Sequence, residues 1–163
     1  MKDSRAGRLD RTDRRILELL QRDASLSATE VAARVGLTAT PCWRRIQRLE
    51  RDGWVRARVA LLDRERLGIG VDVFVAVKTR EHDPAWLAAF AAAVERFDEV
   101  VECYRMSGEV DYLMRVVVAD IDAYDRFYRR LIEDIRLTDV ASSFAMERLK
   151  YTTAVPLPEA AGR

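Results

Sequence analysis

Apolar residues in the first fifty positions recur with a helical period. In "LDRTDRRILELLQRD", Leu9, Ile16, Leu17 and Leu20 share one side of a helix. Asp10 is placed to cap it, and acidic Asp13 suits its first turn. In "SATEVAARVG", Ser27 and Glu30 have capping-box spacing, Val31, Ala32 and Val35 form an apolar stripe, and Gly36 marks a stop. A third helix is predicted to start near Thr38, with Pro41 tolerated in a first turn whose N–H groups have no helical partner. Cys42, Ile46 and Leu49 then face inward. At about 100° per residue, Thr40, Arg44, Gln47, Arg48 and Arg51 lie opposite, with Trp43 on the flank. Three short helices with a tight turn at Gly36 predict a helix-turn-helix. The alternation in "GWVRARVALLD" predicts a wing or linker strand after it.

Beyond the breakers Gly68 and Gly70, the period changes. "VDVFVAVKT" is predicted as a strand. "DPAWLAAFAAAVERF" is a helix capped by Asp83 and opened by Pro84, with Leu87, Phe90, Ala91, Val94 and Phe97 inward. "VVECYRM" and "VDYLMRVVV" are strands hinged at Ser107-Gly108. "DIDAYDRFYRRLIEDI" is a second amphipathic helix, with Asp122 as its cap and Tyr124, Phe127, Leu131 and Ile135 inward. "VASSFAM" closes the series as a strand. The order β-α-β-β-α-β is the ferredoxin-like pattern, so the fold class is α+β. The expected division is a DNA-binding winged helix-turn-helix with its N-terminal tail at 1–58, a linker strand and hinge at 59–70, and a ferredoxin-like domain with its tail at 71–163.

Composition narrows the chemistry. The 163 residues suit one ordinary domain or two small ones. No apolar run approaches the ~20 residues that span a bilayer, and "MKDSRAGRLDR" lacks a secretory core, so no membrane partner and a cytoplasmic location are expected. Two cysteines, Cys42 and Cys103, make neither a disulfide framework nor a four-ligand metal site. The single histidine, His82, stands in a polar turn. Residues 1–58 carry 14 Lys and Arg against 8 Asp and Glu, a balance of +6, and residues 59–163 carry 14 against 19, a balance of −5. A basic front half on an acidic rear half directs the front to a polyanion.

On the third helix, Arg44 and Arg48 can grip phosphates or reach guanine O6 and N7, and Gln47 can read adenine by the same two-point logic. Trp43 and Thr40 offer apolar contact to a thymine methyl. The expected double-stranded DNA contacts are Thr38, Thr40, Trp43, Arg44, Gln47, Arg48 and Arg51, with tail contacts possible from Lys2, Arg5 and Arg8. Which arginine reads a base is open. In the rear half, both sheet faces are largely apolar: Phe74 and Ala76 oppose Val73, Val75 and Val77, and Leu113 and Val117 oppose Tyr112, Met114 and Val116. A sheet with helices on one face would leave the other as an association surface, unless the tail or linker covers it. A two-fold dimer would bury it and present two recognition helices to half-sites about 34 Å apart.

"LDRTDRRILELLQRD", "VGLTATPCWRRIQRLERDGWV" and "SGEVDYLMRVVV" resemble the Lrp/AsnC family of transcriptional regulators over about residues 9–158. "TATPCWRRIQRLERDG", "KYTTAVPL" and "SSFAMERLKY" are most similar to its DecR-like, cysteine-responsive branch. The resemblance implies a winged helix-turn-helix, a linker strand and an effector-binding domain. It implies dimers that assemble into tetramers, octamers or hexadecamers, no resident cofactor, and an amino-acid effector held between neighbouring dimers. The family's binding loop carries Gly-x-x-Asp-Tyr, here Gly108, Asp111 and Tyr112, with Ser107 just before. Tyr104, Met106 and Met114 extend that expected site. The same stretch is also good turn chemistry, in which Asp111 would only accept from nearby backbone N–H groups. "IRLTDVASS" lacks the Pro-Gly that many relatives carry, so a differently shaped loop is expected before Val140. The competing class is an enzyme on the same scaffold, since sirohaem decarboxylases resemble the family in both domains. A lone His82 and no catalytic pairing argue against it, and intact DNA-reading chemistry would be surplus in a pure assembly protein.

Overall fold

The computed structural model describes residues 9–80, 83–135 and 137–157. The expected roles of Lys2, Arg5, Arg8 and His82 lie outside the described residues. The chain divides into two compact units. One runs up to Leu61 and takes back the tail from Lys150 onward; the other is Leu62–Leu149.

The first unit contains α1 (Arg11–Leu20), α2 (Ala28–Val35) and α3 (Ala39–Arg51). Asp10 and Asp13 form a reciprocal capping box at the start of α1, and Ser27 and Glu30 do the same for α2. Each box satisfies N–H groups that the helix cannot pair itself. Gly36 ends α2 at φ 73°, a left-handed conformation that glycine adopts without a Cβ penalty. Ile16, Leu17 and Leu20 of α1 pack with Val31 and Ala32 of α2 and Cys42, Ile46 and Leu49 of α3. Val55 and Leu157 pack against the same core.

Two expectations about this unit change. Residues 55–61 form no strand, because no ladder partner faces them among the described residues; Val59 and Leu61 are exposed. The tail from Lys150 belongs with the helices rather than with the sheet unit. The side-chain amide of Gln21 donates to the Val155 carbonyl at 3.1 Å and accepts from the Val155 N–H at 3.0 Å.

The second unit contains β1 (Val71–Lys78), α4 (Pro84–Val94), β2 (Val100–Arg105), β3 (Tyr112–Val118), α5 (Ile121–Asp134) and β4 (Asp139–Phe144). The strand order is β2-β3-β1-β4, with every neighbouring pair antiparallel. Val73, Val75 and Val77 of β1 and Tyr112, Met114, Val116 and Val118 of β3 form one core with Phe90 of α4 and Phe127 and Leu131 of α5. Asp83 caps α4 with Pro84 in its first turn. The cap of α5 is Asp120, which accepts from the Ala123 N–H; Asp122 sits inside the first turn instead. On α4 the buried alanine is Ala93, while Ala91 is exposed.

The helix-free face is less apolar than the alternation predicts. Phe74 and Tyr104 are open there, but a chain of ions crosses it. Arg64 and Arg115 both donate to Asp72, at 3.0 and 2.8 Å, and Arg115 donates to Glu102 at 2.7 Å. The Tyr104 hydroxyl donates to Glu102 at 2.8 Å. Burial pushes the Asp72 carboxyl up, but its bonds to Arg115 and Arg64 outweigh that and hold it below the usual carboxylate range.

Candidate functional site

The third helix is held by two fastenings. The apolar one is Cys42, Ile46 and Leu49. The ionic one is Asp13, whose side chain is 1% exposed. Its carboxylate accepts from Arg45 at 2.8 Å and from Arg48 at 2.5 Å, and Arg45 also reaches Asp10 at 2.5 Å. Burial pushes the Asp10 carboxyl up, but the Asp13 N–H and Arg45 outweigh it and hold the carboxyl below its ordinary value. A buried carboxylate needs such partners, because desolvation without them costs several kcal/mol. Asp13 thus fixes the azimuth of α3 as well as starting α1.

This corrects the expectation for Arg48. Its guanidinium is partly turned in to Asp13, with 42% of the side chain exposed, rather than standing free on the outer face. Arg45, absent from the expected set, is the second member of the cluster. The remaining expected contacts stand on the open side: Thr38, Thr40, Trp43, Arg44, Gln47 and Arg51 are all exposed. Trp43 is 53% exposed, an unusual position for an indole with no task in the core. Gln47 donates to Glu50 at 3.1 Å, and Arg58 pairs with the same Glu50 at 2.8 Å, which ties residue 58 back to α3. Thr38 caps α3 by backbone position only, without a side-chain hydrogen bond. The result is a helix with a cationic, partly aromatic face, fixed on a rigid base. A helix of this width enters a major groove.

In the second unit, the turn at 106–111 is built from backbone and one carboxylate. Gly108 has φ 131°, which requires glycine. The Met106 N–H donates to the Asp111 carbonyl at 2.8 Å, and the Asp111 N–H donates to the Val77 carbonyl at 3.0 Å. The Asp111 carboxylate accepts from the Thr79 N–H at 2.8 Å, so it locks the end of β1 to the turn. From the other side, the Thr138 N–H donates to the Lys78 carbonyl and its hydroxyl accepts from the Arg80 N–H, both at 3.2 Å. Three chain segments meet at one end of the sheet.

Of the expected effector residues, Met106, Ser107 and Gly108 are exposed at this end of the sheet and Asp111 is half-buried, whereas Tyr104 is exposed on the helix-free face with its hydroxyl on Glu102. Tyr112 and Met114 require correction. Tyr112 lies against Trp86 and Phe90, with ring centroids 5.8 and 4.5 Å away, and Met114 is fully buried. Both side chains point to the helix face, where β3 alternation places them with Val116. Among the described residues, no cluster of His, Cys, Asp and Glu could hold a metal, and no helix is long and apolar enough to cross a membrane.

A model described as winged helix-turn-helix DNA-binding matches residues 9–56, and one described as the Lrp/AsnC ligand binding domain matches residues 72–155. The chain is 51% identical over 150 residues to the DNA-binding transcriptional activator DecR of Escherichia coli K12, covering 91% of this chain and 99% of that one. It is 46% identical over 152 residues to the glutamate uptake regulatory protein of Zymomonas mobilis, covering 93% of each. A solved AsnC family regulator from Agrobacterium tumefaciens matches with a TM-score of 0.89 at 55% identity, over 91% of this chain and 97% of that one. A transcriptional regulator from Neisseria meningitidis, solved in complex with L-Met, matches with a TM-score of 0.87 at 36% identity, over 91% and 96%. A winged helix-turn-helix joined to a ligand-binding βαββαβ unit defines a DNA-binding transcriptional regulator. The chain belongs to the Lrp/AsnC family.

Proposed function

We propose that this protein binds operator DNA through the open face of α3 and changes that binding in response to a free amino acid. The carrying observation is the division of labour on α3. Arg45 and Arg48 are spent on the buried Asp13, while Trp43, Arg44, Gln47 and Arg51 remain outward. Charge serving only as a solvated surface would not need a buried anchor to aim it. The amino-acid response rests on the turn at 106–111, whose exposed backbone and half-buried Asp111 suit a zwitterion, and on the L-Met complex of the Neisseria relative. Cysteine is the effector implied by the DecR-like resemblance. The protein works as a homo-oligomer in the cytoplasm: the helix-free face, with Phe74 and Tyr104 open and an ion chain beside them, pairs with a second copy. Octamers or other assemblies of dimers bring further copies to the turn. No catalytic step belongs to this reading, and the relatives named above are regulators.

The test is a thermal-shift screen of the twenty common amino acids, followed by DNA mobility shifts with each hit. One or a few amino acids should raise the melting temperature and alter operator affinity. A screen with no hit, or a hit that leaves operator affinity unchanged, would overturn the effector reading.

A further inference from the structure

The chain leaves the first unit at Leu61 and returns to it at Lys150, so two covalent connections join the units. On the first, Val55 packs on the helix core and Arg58 is bonded to Glu50 and to the Ala24 carbonyl, while residues 59–61 are exposed and have no strand partner among the described residues. The second ends in a docked segment. Val155 makes both of its backbone hydrogen bonds with the Gln21 side chain, and Leu157 packs on the α1–α3 core. Together with Leu17, Leu20, Val55 and Ala57, Pro156 and Leu157 wall a cavity of about 570 Å³. Arg58 closes the opposite side by donating to the Ala24 carbonyl at 2.9 Å.

We infer that residues 150–157 are a strap that transmits the state of the effector-binding unit to the DNA-binding unit. Its position in the chain is the argument. The strap follows β4 after the five exposed residues 145–149; the start of β4 is joined to the turn region through Thr138, and the strap is anchored at Gln21, the C-cap of the helix that carries Asp13. Ala145 at the end of β4 is still held to β1 by its N–H to the Asp72 carbonyl at 2.9 Å, so a displacement of β4 reaches α1 only by drawing on the short stretch 145–149. From α1 it passes through the Asp13 cluster to α3. The anchor is one glutamine and one leucine, weak enough to release and specific enough to seat in one register. Gln21 and Leu157 are not among the residues assigned to DNA or to the amino acid.

The inference rests on the proposed amino-acid response, and the experiment separates the two. Leu157→Ser and Gln21→Ala are compared with the intact chain by hydrogen exchange at residues 17–24, and by operator affinity with and without L-cysteine or L-methionine. The intact chain should show an affinity that changes with one of the two. In both variants, exchange at residues 17–24 should rise at least tenfold, operator affinity without amino acid should stay within about twofold, and the ratio of the two affinities should collapse toward one. Unchanged exchange would mean that the strap is not docked in solution. Raised exchange with the ratio preserved would mean that it is docked but carries no signal. Either result overturns the strap. If the intact chain responds to neither, the same comparison is made with whichever of the twenty common amino acids it does respond to; a chain that responds to none overturns the functional reading and the strap with it.

Discussion

Replacing Asp13 with alanine removes the shared acceptor beneath Arg45 and Arg48. Hydrogen bonds to charged groups contribute about 1.5–3 kcal/mol each. Here that figure is discounted, because Arg45 is 32% exposed and Arg48 42%, and both guanidinium groups regain water when released. The loss of two charged bonds, together with the capping bond from the Asp10 N–H at 3.2 Å, amounts to about 2–3 kcal/mol. For a unit of this size that lowers the melting temperature by roughly 10–20 °C. The effect on DNA has the opposite sign to the simple electrostatic one. Asp13→Ala raises the net charge by about one unit, and added positive charge by itself strengthens binding to a polyanion. Loosening two arginines and the azimuth of α3 instead costs about 0.5–1.5 kcal/mol per side chain that must be reordered. Operator affinity should therefore fall about tenfold, measured by fluorescence anisotropy at a temperature where hydrogen exchange shows α1–α3 still folded. An affinity equal to or above that of the intact protein would refute the aiming role and leave Asp13 a fold-stabilising residue only.

Further outcomes follow from the second unit. Asp111→Ala leaves the Thr79 N–H without its carboxylate acceptor, so exchange at Thr79 should rise about tenfold or more. The amino-acid response should vanish while effector-free DNA binding stays, and normal amino-acid binding by calorimetry in that variant would disprove the role of the turn. Acid should destabilise the sheet unit in a defined direction. The folded Asp72 carboxyl lies below its unfolded value of about 3.9, so its contribution is complete above that pH and is lost as pH falls through the lower folded value. Urea midpoints should be flat from about pH 7 to 5 and fall below about pH 4. Asp72→Asn should flatten that fall, and an unchanged acid slope would contradict the role of the ion chain.

The helices and strands were legible because burial leaves a period in the chain. Caps were legible wherever one carboxylate or hydroxyl stood alone at the right spacing, as at Asp10, Ser27 and Asp83. At α5 two aspartates competed, and Asp120, two residues earlier than the expected Asp122, took the Ala123 N–H. The Asp13 cluster joins residues 32 and 35 positions apart, which no local pattern encodes. One signal did exist: Asp13 stands four residues after Leu9 and four before Leu17, on the apolar stripe of α1. A carboxylate on a buried stripe demands basic partners. Arg115 within "YLMRVVV" is the same signal on a strand, and it marks the ion chain across the helix-free face. Tyr112 and Met114 were drawn into the expected effector site by proximity to the Gly-x-x-Asp-Tyr pattern. Their β3 parity with Val116 already directed them to the core.

The most direct measurement is operator binding by the Arg44→Ala/Arg51→Ala double variant, titrated against salt beside the intact protein. Neither arginine belongs to the Asp13 cluster, so thermal stability should be unchanged. With α3 in the groove, affinity should fall at least tenfold, and the slope of log K against log salt should shrink by about one to two. Intact affinity with an intact salt slope would contradict the account, because DNA would then be meeting some other surface of the protein.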